Sequence, residues 1–157
     1  MAMLITVAMI HIAAMLKAFL MPSHQQNRGP EFANLLTKTL QKAGWQVKHS
    51  RSADNGADIV ARNGKNIYVF RLKALSESRK DRAIPLISQA ILEAQRAAAQ
   101  ITGSATPVAV LASDHVSDSL SGHIKDFALR NAPDVAVGII DAGGFRRFAG
   151  HGLEVLN

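Results

Sequence analysis

Three residues near the middle of the chain have types and spacing suited to chemistry on a phosphate. Asp58 lies in Gly56-Ala-Asp-Ile-Val-Ala, and Arg71 and Lys73 lie in Ile67-Tyr-Val-Phe-Arg-Leu-Lys, with twelve residues between Asp58 and Arg71. Hydrolysing a phosphodiester requires neutralised phosphate charge and a deprotonated water. Carboxylates on adjacent strands can hold Mg²⁺ between themselves and the scissile phosphate. A lysine two residues beyond the second carboxylate falls on the same strand face, where its ammonium can orient the water or stabilise developing charge. The pattern needed is therefore an acid, then acid-x-Lys at strand spacing. This sequence supplies the first acid and the lysine, but the middle position is Arg71.

The elements that must position these residues are two short strands. The run from Gly56 to Lys73 reads as a strand over 57–61, an Asn63-Gly64 turn, and a second strand over 66–75. Period-two alternation puts Ile67, Val69, Arg71 and Lys73 on one face of the second strand, and Tyr68, Phe70, Leu72 and Ala74 on the other. A strand apolar on both faces toward its middle is interior to a sheet. Cations at its end then call for nearby carboxylates or a bound anion.

Around this hairpin the chain alternates. Pro30 opens a helix that Gly44 closes, with an apolar stripe of Phe32, Leu35, Leu36, Leu40 and Ala43. Glu31 in its first turn borders that stripe, and complementing the helix dipole is sufficient reason for its presence. A short strand follows over 45–49, then a turn-rich loop over 50–56. After a charged loop (76–82), a helix over 85–101 carries Ile84, Ile87, Ile91, Ala94, Ala98 and Ile101 on one stripe, and Gln89, Glu93, Arg96 and Gln100 along a second, polar face. Buried strands are expected at 107–112 and 135–140, a helix at 117–130 between them, and a weak last strand after Gly143-Gly144. Helices between buried strands imply parallel pairing late in the chain, beside the antiparallel hairpin. The expected class is α/β.

Composition narrows the chemistry. The chain has 157 residues, 48% of them apolar, enough for one domain with a substantial core. It has no cysteine, which excludes disulfides and thiolate metal sites. Its six histidines show no metal-ligand spacing. The net charge is +6: residues 31–82 hold eleven Lys/Arg against five Asp/Glu, whereas residues 83–157 hold five against seven. Positive charge is thus concentrated around the hairpin, where it suits a polyanion such as nucleic acid or serves solubility alone. Arg146-Arg147 between two phenylalanines is a weaker candidate for phosphate contact or a solvated hairpin tip.

Residues 1–21 contain one Lys, one His and no acid. They fit a membrane span or anchor, a secretory signal, a helix packed on protein, or a segment upstream of a true start at Met21. The expected organisation is an apolar N-terminal helix at 1–21, a polar linker at 22–29 and one domain at 30–157. The expected location is cytoplasmic, with anchoring at the inner face of the membrane if residues 1–21 insert.

The runs Pro30-Glu-Phe-Ala-Asn-Leu-Leu, Gly44-Trp-Gln-Val, Gly56-Ala-Asp-Ile-Val-Ala and Ile67-Tyr-Val-Phe-Arg-Leu-Lys, with Ser88-Gln89-Ala90 on the following helix, resemble the PD-(D/E)xK restriction-endonuclease-like superfamily. Within it they are most similar to Mrr-type (type IV restriction) nuclease domains, over about residues 29–148. The resemblance implies a mixed sheet, an antiparallel hairpin plus parallel strands, flanked by helices. It implies that Asp58 is the first metal carboxylate, Lys73 the active-site lysine, Glu31 an acid on the first helix, Gln89 a core-flanking glutamine, and the Leu72 carbonyl a further metal ligand. Arg71 departs from the family's acid at that position and brings a permanent charge to the metal's place. The expectation is that it pairs with Asp58 and with Glu31.

Three functions follow as expectations. The first is a nuclease-derived DNA-binding protein with a degenerate, inactive site and no cofactor, in which Arg71, Lys73, Arg51, Arg79, Lys80 and Arg82 contact nucleic acid. The second is an active Mg²⁺-dependent DNA endonuclease whose missing carboxylate has moved to Glu31, Glu77 or Glu93. The third is a non-catalytic scaffold, membrane-attached through residues 1–21. A homodimer is a further expectation. A coincidental α/β fold, with Asp58 and Arg71 as a structural ion pair, is the alternative to the resemblance itself.

Overall fold

The computed structural model describes residues 28–49 and 59–149. Helix α1 (Gly29–Lys42) has Pro30 and Glu31 in its first turn and buries Phe32, Leu36 and Leu40. Its buried stripe is narrower than the sequence predicts: Leu35 is 37% exposed and Ala43 is exposed, while Thr37 is buried. The Thr37 hydroxyl donates to the Ala33 carbonyl at 2.8 Å and lies 2.9 Å from His49 Nε2, so a polar side chain is satisfied where the helix meets the sheet. At Gly44 the backbone turns through φ +84° into the first strand.

Strands β1 (Gln46–His49), β2 (Ile59–Asn63) and β3 (Asn66–Ala74) pair antiparallel in sequence order. Asn63 pairs with Asn66, so the two-residue loop is Gly64-Lys65, one position later than expected from the Asn-Gly pair. Gly64 has φ +59° and Lys65 has no positive φ, the combination a type II′ hairpin turn requires. An irregular 3₁₀ segment (Glu77–Arg82) replaces the expected charged loop and leads into α2 (Ala83–Ala99). Strand β4 (Ala105–Ala112), helix α3 (Asp118–Asn131), β5 (Ala136–Asp141) and β6 (Gly144–Ala149) complete the described chain. Ser117 caps α3, accepting from Leu120 N–H at 3.3 Å.

The six strands form one sheet in the order β1-β2-β3-β4-β5-β6. Pairing is parallel for β3–β4 and β4–β5, and antiparallel for β5–β6. Strand β3 is therefore interior, as its two apolar faces require. Helix α1 covers one face, where Phe32, Leu36, Leu40 and Trp45 pack with Tyr68, Phe70, Leu72 and Val110. Helices α2 and α3 cover the other, through Ile87, Ile91, Ile124 and Ala128 against Ala109, Leu111, Val137 and Ile139. The last hairpin is tied by Asp141, which accepts from Gly143 N–H at 2.8 Å and pairs with Arg146 at 2.5 Å. Arg146 is thus a structural partner of Asp141. Among the described residues no helix is long and apolar enough to cross a membrane; residues 1–21 lie outside them.

Candidate functional site

Arg71 and Lys73 project from β3 toward α2, because Tyr68, Phe70 and Leu72 occupy the opposite face against α1. Both cations converge on Glu93 of α2. Arg71 Nε donates to Glu93 Oε2. Lys73 Nζ lies 3.0 Å from Oε1 and 2.9 Å from Oε2. Gln89, one turn earlier on α2, donates from Nε2 to Oε1 at 2.8 Å. The side chains of Arg71, Lys73 and Glu93 are 17%, 18% and 21% exposed, so the cluster is largely withdrawn from water.

The electrostatics follow from that geometry. Partial burial opposes ionisation of Glu93, but hydrogen bonds from Lys73, Arg71 and Gln89 outweigh it and hold the carboxyl below its ordinary range. One carboxylate is shared by two cations. Beside it, Gly29, Pro30 and Ala33 of α1 and residues 71–74 of β3 line an open cleft of about 380 Å³. Leu72 is part of that lining.

The residues singled out in the sequence are distributed unevenly. Arg71, Lys73 and Gln89 are brought together. Glu31 is not with them: it is 68% exposed and pairs with Arg28 at 2.9 Å, and Arg28 also pairs with Asp114. The expected Arg71–Glu31 pair is replaced by Arg71–Glu93, because α2, rather than the start of α1, lies over the cations. Arg79, Lys80 and Arg82 are exposed on the 3₁₀ segment, with Arg79 3.5 Å from Asp81. Asp58 and Arg51 lie outside the described residues, as does the side chain of Glu77.

Glu93 was legible only as one of three acids able to replace the missing one, on the polar stripe of α2. The clamp of Arg28 on Asp114 had no sequence signal, because 86 positions separate its partners. Asp141 had one: an acid immediately before a glycine turn commonly binds the backbone two residues on.

A protein-family model described as "Restriction endonuclease" (Mrr_cat) matches residues 24–114, more than half of the chain. The chain belongs to that family. The mixed six-stranded sheet flanked by three helices agrees with the fold the sequence resemblance implied. No curated protein matches the chain.

Endonuclease-like domains of this kind use Mg²⁺ when active. Asp58, the first metal carboxylate the sequence resemblance implies, lies outside the described residues. Among the described residues no three His, Asp or Glu side chains converge. Among the described residues the carboxylate beside the lysine is Glu93, which already accepts from three side chains, two of them cationic. A hard divalent cation takes six or more oxygen ligands and would stand beside a permanently charged guanidinium.

Proposed function

We propose that this chain is a nuclease-derived DNA-binding protein in which the Arg71 guanidinium stands in the electrostatic place of the metal ion. The observation that carries this reading is the Arg71–Glu93–Lys73 cluster. The lysine that would orient water is instead bound to an acid, and that acid is bound to an arginine. Support for a DNA partner comes from the family, from the concentration of positive charge in residues 31–82, and from the exposed Arg79, Lys80 and Arg82 beyond β3.

The test is the metal dependence of binding. Electrophoretic mobility shifts with a short duplex at low salt should be the same in EDTA and in Mg²⁺. Binding that appears only with a divalent ion would overturn the proposal.

One observation favours a second reading, an endonuclease with a relocated acid: Glu93 lies within 3.0 Å of Lys73, where a moved carboxylate would have to be. In that reading Arg71 must release Glu93 when substrate binds, and plasmid cleavage separates the two.

A further inference from the structure

Among the described residues the two faces of the sheet are not covered equally. Helix α2 packs over β3 and β4, with Ala97 and Ala98 on Val69, and its cover reaches only as far as Val60 on β2. The pairings Lys48↔Val60 and Val60↔Val69 put Lys48 in the same cross-strand row, one strand beyond that cover. The pairings Gln46↔Arg62 and Arg62↔Ile67 put Gln46 and Arg62 in the row beyond. Val47, Ile59 and Ala61 pack toward α1, so Lys48, Gln46 and Arg62 emerge on the α2 side, and all three are exposed. The flank of α2 beside this bare face carries Gln89, Glu93, Arg96 and Gln100, the polar stripe that the cluster at Glu93 only partly accounts for. Arg96 and Gln100 are exposed.

Together the bare face and the flank form a shallow step whose described charges are Lys48, Arg62 and Arg96, running from the Arg71–Lys73 cluster. Among the described residues the acid on this step is Glu93, already held by two cations. We propose that duplex DNA lies along this step through its phosphate backbone, an inference that rests on the DNA-binding reading above.

Two features select duplex over single strand and backbone over bases. Single strands are held by stacking bases on exposed aromatic rings. The aromatics near this face, Trp45, Tyr68 and Phe70, are buried on the α1 side of the sheet. Lysine and arginine on a flat strand surface meet phosphates without reaching into a groove, which gives salt-dependent binding without base preference.

The test is fluorescence anisotropy on the full chain with a short duplex of arbitrary sequence over a salt series. The triple variant Lys48→Gln, Arg62→Gln, Arg96→Gln removes three exposed charges, and circular dichroism checks its fold. Each lost phosphate contact reduces the slope of log affinity against log salt by about 0.9, so a reduction of about 2.7 is expected, with affinity at 0.1 M salt falling more than about tenfold. Lys38→Gln with Lys42→Gln, on the far side of the sheet, should leave both unchanged. Wild-type protein that binds no duplex even at low salt overturns the DNA-binding reading itself. Wild-type protein that binds while the triple variant keeps its slope overturns only this path, as does tighter binding of single-stranded DNA than of duplex.

Discussion

At the scale of single residues, the substitution of arginine for an acid at position 71 has a partner. Glu93 on α2, the helix above β3, accepts from the guanidinium that stands where the sequence resemblance expects an acid. Removing Glu93 takes from both cations the carboxylate they share. Glu93→Gln would leave Arg71 and Lys73 facing each other at under a fifth exposure. Removing one partner of a fully buried pair costs about 3–5 kcal/mol. With partial solvent access we expect roughly 2 kcal/mol, read as a lower urea midpoint. The penalty depends on pH in a defined direction. The folded-state pKa of Glu93 is depressed, so its stabilisation is present above the ordinary carboxylate value of about 4.3 and is lost as pH falls through the folded value. The difference between wild type and Glu93→Gln should be constant from neutral pH to about 5 and disappear in stronger acid. Arg71→Glu sets two carboxylates against Lys73. It should lower stability in EDTA and recover it with Mg²⁺ or Mn²⁺, measured as thermal midpoint against metal concentration.

At the scale of elements, the sequence was legible where periodicity is local. The stripe Ile87, Ile91, Ala94 and Ala98 is buried as its spacing requires. The alternation along β3 correctly separates two cations from the Phe70 and Leu72 face. Boundaries shifted for physical reasons. Helix α2 begins at Ala83, ahead of Pro85, because a proline in the first turn forfeits an N–H that has no helical acceptor. The hairpin loop lies at Gly64-Lys65, the register that pairs Ile59 with Phe70 and Ala61 with Tyr68 on the α1 face. What the sequence could not disclose was which acid the cations meet. Glu93 lies twenty residues beyond Lys73, and their meeting depends on how α2 crosses the sheet. The final hairpin offers an element-level prediction. A Cβ on Gly138 would lie 2.6 Å from the Phe145 ring and 2.9 Å from the Arg146 carbonyl oxygen. Gly138→Ala should therefore loosen β5–β6 and cost about 1–3 kcal/mol, seen as a lower thermal midpoint.

At the scale of the whole molecule, the fold and the family agree, and the chemistry turns on a single cluster. A nuclease scaffold places a lysine, a glutamine and an acid together. An arginine within that cluster shares the acid with the lysine and the glutamine, and the sequence concentrates its positive charge in residues 31–82. The central claim is binding without cleavage. The most direct measurement incubates purified protein with supercoiled plasmid and Mg²⁺ or Mn²⁺, at protein concentrations that saturate the DNA. Lys73→Ala and Asp58→Ala are run beside it. Plasmid that remains supercoiled with all three proteins is the expected result. Nicking or linearisation by wild type that both variants lose would contradict it and assign the chain a working site.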